Sequence, residues 1–296
     1  MASEQFEKIR ALVEKNQAPF VSAEKMRAAL EAVGGPLPAG TTGTEVEAGG
    51  VPAEWVDTPD GNRSRVVLYL HGGGYIGGSL WSHHNLIGHL TMAMGCRVLG
   101  LDYRLAPENP HPAPVEDALA AYRWLLAEGF EPGQIAVAGD SAGGGLTVAL
   151  LLAARDAGLP QPAAAVPISP WVDMGATGES LLSRADLDVM VSPGDLADTR
   201  DLFLGPDGRI DDPLASPLAG DLSGLAPMLI QVGDHEVLLS DAERLAVAVA
   251  AAGGDVTLEV APEMLHVWHS FAGWAPESDQ AIARMAEFLR ARLGLS

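Results

Sequence analysis

The residues able to do chemistry fall into a few short stretches. Gly139-Asp140-Ser141-Ala142-Gly143 joins four small or branched apolar residues, 135–138, to an unbroken run of helix formers, 146–155. A serine on so tight a strand-to-helix bend needs small neighbours, and Gly139 and Gly143 let adjoining backbone come close. The Ser141 hydroxyl is thereby pushed above the strand end, beside a helix N-terminus whose free N–H groups favour developing negative charge. Those are the requirements of a nucleophile. The same pattern also describes a glycine-rich turn with a serine N-cap, so the chemical reading depends on what else the chain supplies.

It supplies three complements. His71-Gly72-Gly73-Gly74-Tyr75 comes directly after the apolar stretch 66–70. Consecutive glycines leave their N–H groups bare, so Gly73 and Gly74, with the N–H of Ala142, form an oxyanion site for a tetrahedral intermediate. Among the eight histidines, His266 is the candidate base, because it comes after the strand 256–260 and its loop at the same sheet end as Ser141. His83, His84 and His89 read as packing on a helix, and His71 and His111 as structural. His269 lies one helical turn further on and points elsewhere. A carboxylate must fix the imidazole tautomer, and Gly233-Asp234-His235-Glu236 leaves the strand 228–232 at the required end. The order Ser, acid, His is that of α/β-hydrolases. The residues alone do not choose between Asp234 and Glu236.

These groups need elements to hold them. Helical spacing (Phe6, Ile9, Leu12, Val13, then Met26, Leu30, Val33) predicts two short amphipathic helices joined near Pro19. Strands over 44–48 and 51–56 flank Gly49-Gly50 as a hairpin. Strands over 66–70, 98–101, 135–138, 164–168, 228–232 and 256–260 then alternate with helices over 82–94, 115–128, 146–155, 240–252 and 280–293. Such alternation with strands apolar on both faces implies an α/β fold: a parallel sheet with helices on both sides, binding ligands beyond the strands' carboxyl ends. The stretch 171–227 is far too long for a simple crossover and reads as a lid. The expected division is N-terminal cap helices over 1–42, a catalytic core over 43–170 and 228–296, and the lid between.

Composition narrows the function classes. With 39 acidic against 18 basic residues the formal net charge is -21, which excludes nucleic acid and an anionic membrane face as partners. The single Cys96, just ahead of an apolar strand, reads as a buried structural thiol in a reducing compartment. The charged N-terminus lacks a signal-peptide core, and no apolar run approaches the roughly 18 residues of a membrane span. A cytoplasmic protein is expected. No metal is expected either, since the His83-His84 pair has no carboxylate or cysteine at ligand spacing.

Four ordered motifs together resemble the bacterial hormone-sensitive-lipase family of esterases: His71-Gly72-Gly73-Gly74, Asp102-Tyr103-Arg104-Leu105-Ala106-Pro107-Glu108, Gly139-Asp140-Ser141-Ala142-Gly143 and Met264-Leu265-His266-Val267-Trp268. The resemblance covers nearly the whole chain beyond the N-terminal helices. It implies the α/β-hydrolase fold with a mostly parallel eight-stranded sheet, helices on both faces and a helical cap. It also implies hydrolysis of carboxylic esters of short to medium acyl chain without a cofactor, on a small-molecule substrate, and a homodimer. Many relatives carry Asp-Pro-Leu where this chain has Glu236-Val237-Leu238, which puts Glu236 on the acid position and leaves Asp234 in reserve. Tyr75, Trp81, Met174, Leu187 and Phe203 are candidates to line the substrate pocket, with ordinary packing as the rival explanation. A lactone hydrolase using the same triad is the alternative function. A non-catalytic small-ligand receptor is more remote, because serine, histidine and carboxylate are all present.

Overall fold

The computed structural model describes residues 2–16 and 22–295; the join near Pro19 lies outside them. Eight strands form one sheet: β1 (Thr42–Ala48), β2 (Val51–Asp57), β3 (Asn62–Leu70), β4 (Cys96–Leu101), β5 (Ile135–Asp140), β6 (Ala164–Ile168), β7 (Met228–Gly233) and β8 (Val256–Ala261). Their order is β1-β2-β4-β3-β5-β6-β7-β8. The β1–β2 hairpin turns on Gly49 and Gly50, both at positive φ (65° and 90°), a conformation that costs glycine alone nothing. This hairpin joins β4 antiparallel, and every pairing from β4 to β8 is parallel. Strand β3 begins four residues before its apolar core, because Asn62 pairs with Cys96 across a register shift.

The central strands are apolar on both faces because both faces are covered. Along β3, Val66, Leu68 and Leu70 pack with α4 (Ala113–Ala127) and α5 (Ala142–Asp156). Val67 and Tyr69, pointing the other way, pack with α3 (Leu80–Met94) and α9 (Pro276–Leu293). This period of two is what a doubly covered sheet demands. Helix α8 (Leu239–Ala251) covers β7 on the α5 side.

Two further layers lie over the carboxyl ends of the strands. Helix α1 (Glu4–Asn16) drives the fully buried Phe6 among Met264, Leu265 and Trp268. Helix α2 (Ala23–Val33) sends Arg27 to the carbonyls of Ile76 and Ala106 (2.7 Å each) and to the Glu108 carboxylate. Between β6 and β7 the chain makes α6 (Ser180–Ser183) and α7 (Pro193–Leu204). Among the described residues no helix is long and apolar enough to cross a membrane.

Candidate active site

Because β3 and β5 to β8 run parallel, their carboxyl ends all lie at one edge of the sheet. Ser141, Ser169, Glu236 and His266 all leave there. Ser141 takes φ 54° and ψ −119°, a sparsely populated conformation costing on the order of 1–3 kcal/mol. The surroundings enforce it. A Cβ at Gly139 or Gly143 would collide with the carbonyls of Leu70 and of Gly143 or His71. The Ser141 N–H donates to the Ile168 carbonyl (2.8 Å), and its own carbonyl accepts from Gly145 (3.0 Å) and Trp171 (3.1 Å). The side chain is left half-buried and reachable.

The glycine loop beside it is set by a buried polar network. Asp140, the last residue of β5, accepts from the Tyr69 hydroxyl (2.7 Å) and the Gly72 N–H (3.1 Å), and its other oxygen faces His83 Nε2 at 3.3 Å. Burial works against its charge, but His83 and the Tyr69 hydroxyl overcome it and hold the carboxyl at about 2. His71 stacks on Tyr103 at 4.3 Å, and the Tyr103 hydroxyl donates to the His71 carbonyl (2.7 Å). With the loop so held, Gly73 and Gly74 sit at φ 112° and 63°. Among the described residues no protein acceptor takes the N–H of Gly73, Gly74 or Ala142. Three amides are open where an anion could lie.

Glu236 is fully buried and His266 nearly so. The Glu236 carboxylate meets His266 Nδ1 at 2.8 Å through Oε2. Its Oε1 accepts from the Ser169 hydroxyl (2.8 Å) and the Gly233 N–H (2.5 Å). Burial raises the proton affinity of Glu236. Burial disfavours charge on His266 too, yet the bond and the charge of Glu236 prevail and raise the imidazole above its ordinary value. Asp234 is turned away: its Oδ1 accepts the Glu263 N–H at 2.5 Å. His269 also points elsewhere, onto Gln231 at 2.9 Å, and burial holds it neutral down to about 3. Cys96 is buried, its thiol pushed up to about 12 by burial.

The pocket candidates divide. Tyr75 and Phe203 stack at 3.8 Å, fully buried, with Trp171 against Tyr75 at 6.2 Å. Met174 is fully buried and donates its N–H to Ser216. Trp81 is brought instead against His84 and the Glu31 carbonyl, over a shallow cavity of about 320 Å³ shared with Glu45, Glu54 and Asp102. It opens the first turn of α3, which faces α2. Leu187 is 39% exposed.

Ser169 had no signal in the sequence. Its hydroxyl donates to Glu236 while accepting the Val267 N–H (3.2 Å), so one side chain ties the end of β6 to both the acid and the histidine loop.

A protein-family model described as alpha/beta hydrolase fold matches residues 67–270. A crystal structure of an esterase from the bacterial hormone-sensitive lipase (HSL) family superposes with a TM-score of 0.96, at 48% identity over 99% of this chain and 100% of that one. The chain belongs to that family. An esterase/lipase from an uncultured bacterium is as similar in structure, with a TM-score of 0.95 and 42% identity over 99% of this chain and 100% of that one. The acetyl-hydrolase of Streptomyces hygroscopicus is 45% identical over 303 residues, covering 99% of each chain.

Proposed function

We propose that this member of the hormone-sensitive lipase family hydrolyses carboxylic esters of short to medium acyl chain through an acyl-enzyme at Ser141. The observation that carries the reading is the Glu236–His266 contact of 2.8 Å at the sheet edge that also bears a strained, reachable serine and three open amides. His266 takes the hydroxyl proton as Ser141 Oγ bonds to the ester carbonyl carbon. The carbonyl oxygen becomes an oxyanion among the N–H groups of Gly73, Gly74 and Ala142. Collapse breaks the bond to the alcohol, which leaves with the proton from His266. Water then adds to the acyl-enzyme, giving its proton to His266, and the second collapse returns that proton to Ser141 and releases the acid. Glu236 holds the tautomer and stabilises the imidazolium throughout.

We also propose a small-molecule substrate, a cytoplasmic setting and a homodimer. The cytoplasmic setting is supported by the single buried cysteine, and the homodimer by family membership. Ser141→Ala is expected to lower p-nitrophenyl butyrate hydrolysis by at least about a thousandfold with an unchanged circular dichroism spectrum. Substantial turnover in a folded variant would remove the serine from the mechanism.

A further inference from the structure

Asp188 takes no part in the steps of ester hydrolysis, yet it is bonded to the residue that follows Glu236. It sits in the turn between α6 and α7, and only 5% of it is exposed. Its Oδ1 accepts the N–H groups of Met190 and Val191, each at 2.9 Å. Its Oδ2 accepts the N–H of Val237, the residue next to Glu236, also at 2.9 Å. Among the described residues its side-chain partners are these three backbone N–H groups. A carboxylate so buried is costly unless its charge is used or fully met by donors.

We propose that Asp188 is a positioning residue for the His266–Glu236 pair, fixing through Val237 the loop that presents Glu236 and adding a second negative charge behind the imidazolium. The proposal rests on the ester-hydrolase reading. Its neighbours support it. Ser180 and Ser240 exchange N–H to Oγ bonds of 2.9 Å, and the Ser180 hydroxyl donates to the Val237 carbonyl at 2.6 Å. Asp241 accepts the N–H groups of Val172 and Asp173, each at 3.0 Å. The stretch 172–191 is thus welded at three points to the acid's own loop and the first turn of α8, and Asp188 is the one whose charge reaches the catalytic pair. Glu236 touches His266 directly, and the charges of Glu236, Asp188 and Asp140 all favour its protonated form. Asp188 likewise favours the protonated form of Glu236.

The test is Asp188→Asn, which keeps the shape and one acceptor oxygen and removes the charge. Two readouts are taken: the His266 ring titration by NMR, assigned with His266→Asn, and the pH profile of p-nitrophenyl butyrate hydrolysis. The titration needs no turnover, so its outcome is distinct from that of Ser141→Ala, which tests the underlying reading. The His266 pKa is expected to fall by about half a unit or more, with the acid limb of kcat/KM moving with it. On the same grounds kcat should drop roughly tenfold while KM stays within about a factor of two. A pKa and acid limb that stay in place, with only a lower melting temperature, would reduce Asp188 to a structural staple and overturn the proposal. Should Asp188→Asn not fold, Asp188→Ser, smaller and uncharged, carries the same measurement. Failure of both to fold would make Asp188 a folding residue and equally overturn the assignment.

Discussion

Two carboxylates leave β7 within three residues, and geometry separates their roles. Glu236 meets His266 at 2.8 Å, whereas Asp234 caps the turn at Glu263. The carboxylate raises the imidazole above its ordinary pKa in spite of burial, so the neutral, proton-accepting form is lost as pH falls through a value above about 6.5. Activity should therefore fall on the acid side of that point. Glu236→Gln takes away both the orientation and the charge, and kcat on the plateau should drop by about 10³–10⁴. The acid limb should move to lower pH, since burial then acts on His266 without its main opponent. Asp234→Asn keeps an oxygen for the Glu263 N–H and should leave kcat within about threefold, its lost charge being partly exposed. pH–rate profiles of the two variants decide between them, and the larger loss at Asp234 would exchange their assignments.

At the scale of elements, what the chain writes locally was readable, and so was the sheet end that gathers the motifs, but distant contacts made by residues outside those motifs were not. The serine bend and the glycine loop were legible because their requirements are met within five or six residues. Element types could be read from periodicity, but ends moved where side chains set them. Helix α3 starts at Leu80, two residues before the expected 82, because Ser79 and Ser82 form a reciprocal capping box. Strand β5 runs on to Asp140 through its pairing with Ile168, so the bend begins later than apolarity alone suggests. Ser169 and Asp188 had no signature, since each reaches its partner across 67 and 49 residues respectively. Helix α1 was legible by spacing, but its anchor was not: Phe6 seats it on the loop that carries His266. Phe6→Ala is expected to weaken that seat by about 3–5 kcal/mol. Native-state hydrogen exchange should then show lost protection over residues 4–16, accompanied by a fall in kcat as the histidine loop loses its cover. Protection retained over that helix would mean that the Ser3–Glu277 contacts hold it without Phe6.

For the whole molecule the excess of acid is the dominant electrostatic fact. Even if all 18 basic side chains were paired, 39 − 18 = 21 acidic ones would remain uncompensated. Several ion pairs are also between near neighbours in the chain, such as Lys8–Glu4, Arg155–Asp156 and Arg209–Asp211. Exposed pairs of this kind contribute about 0–1 kcal/mol each, and the unfolded chain retains part of them. Repulsion, by contrast, is a property of the compact state, where the charges are forced together. This repulsion predicts how salt should act. Raising NaCl from 0.01 to 0.1 M shortens the screening length from about 30 Å to about 10 Å, weakening long-range repulsion far more than contacts at hydrogen-bond distance. The urea midpoint at pH 7 should therefore rise with salt over this range. Salt concentrations this low keep specific ion effects on apolar burial small. A midpoint that falls instead would mean that attraction within the ion pairs outweighs the net charge, and that the acidic surface is locally compensated.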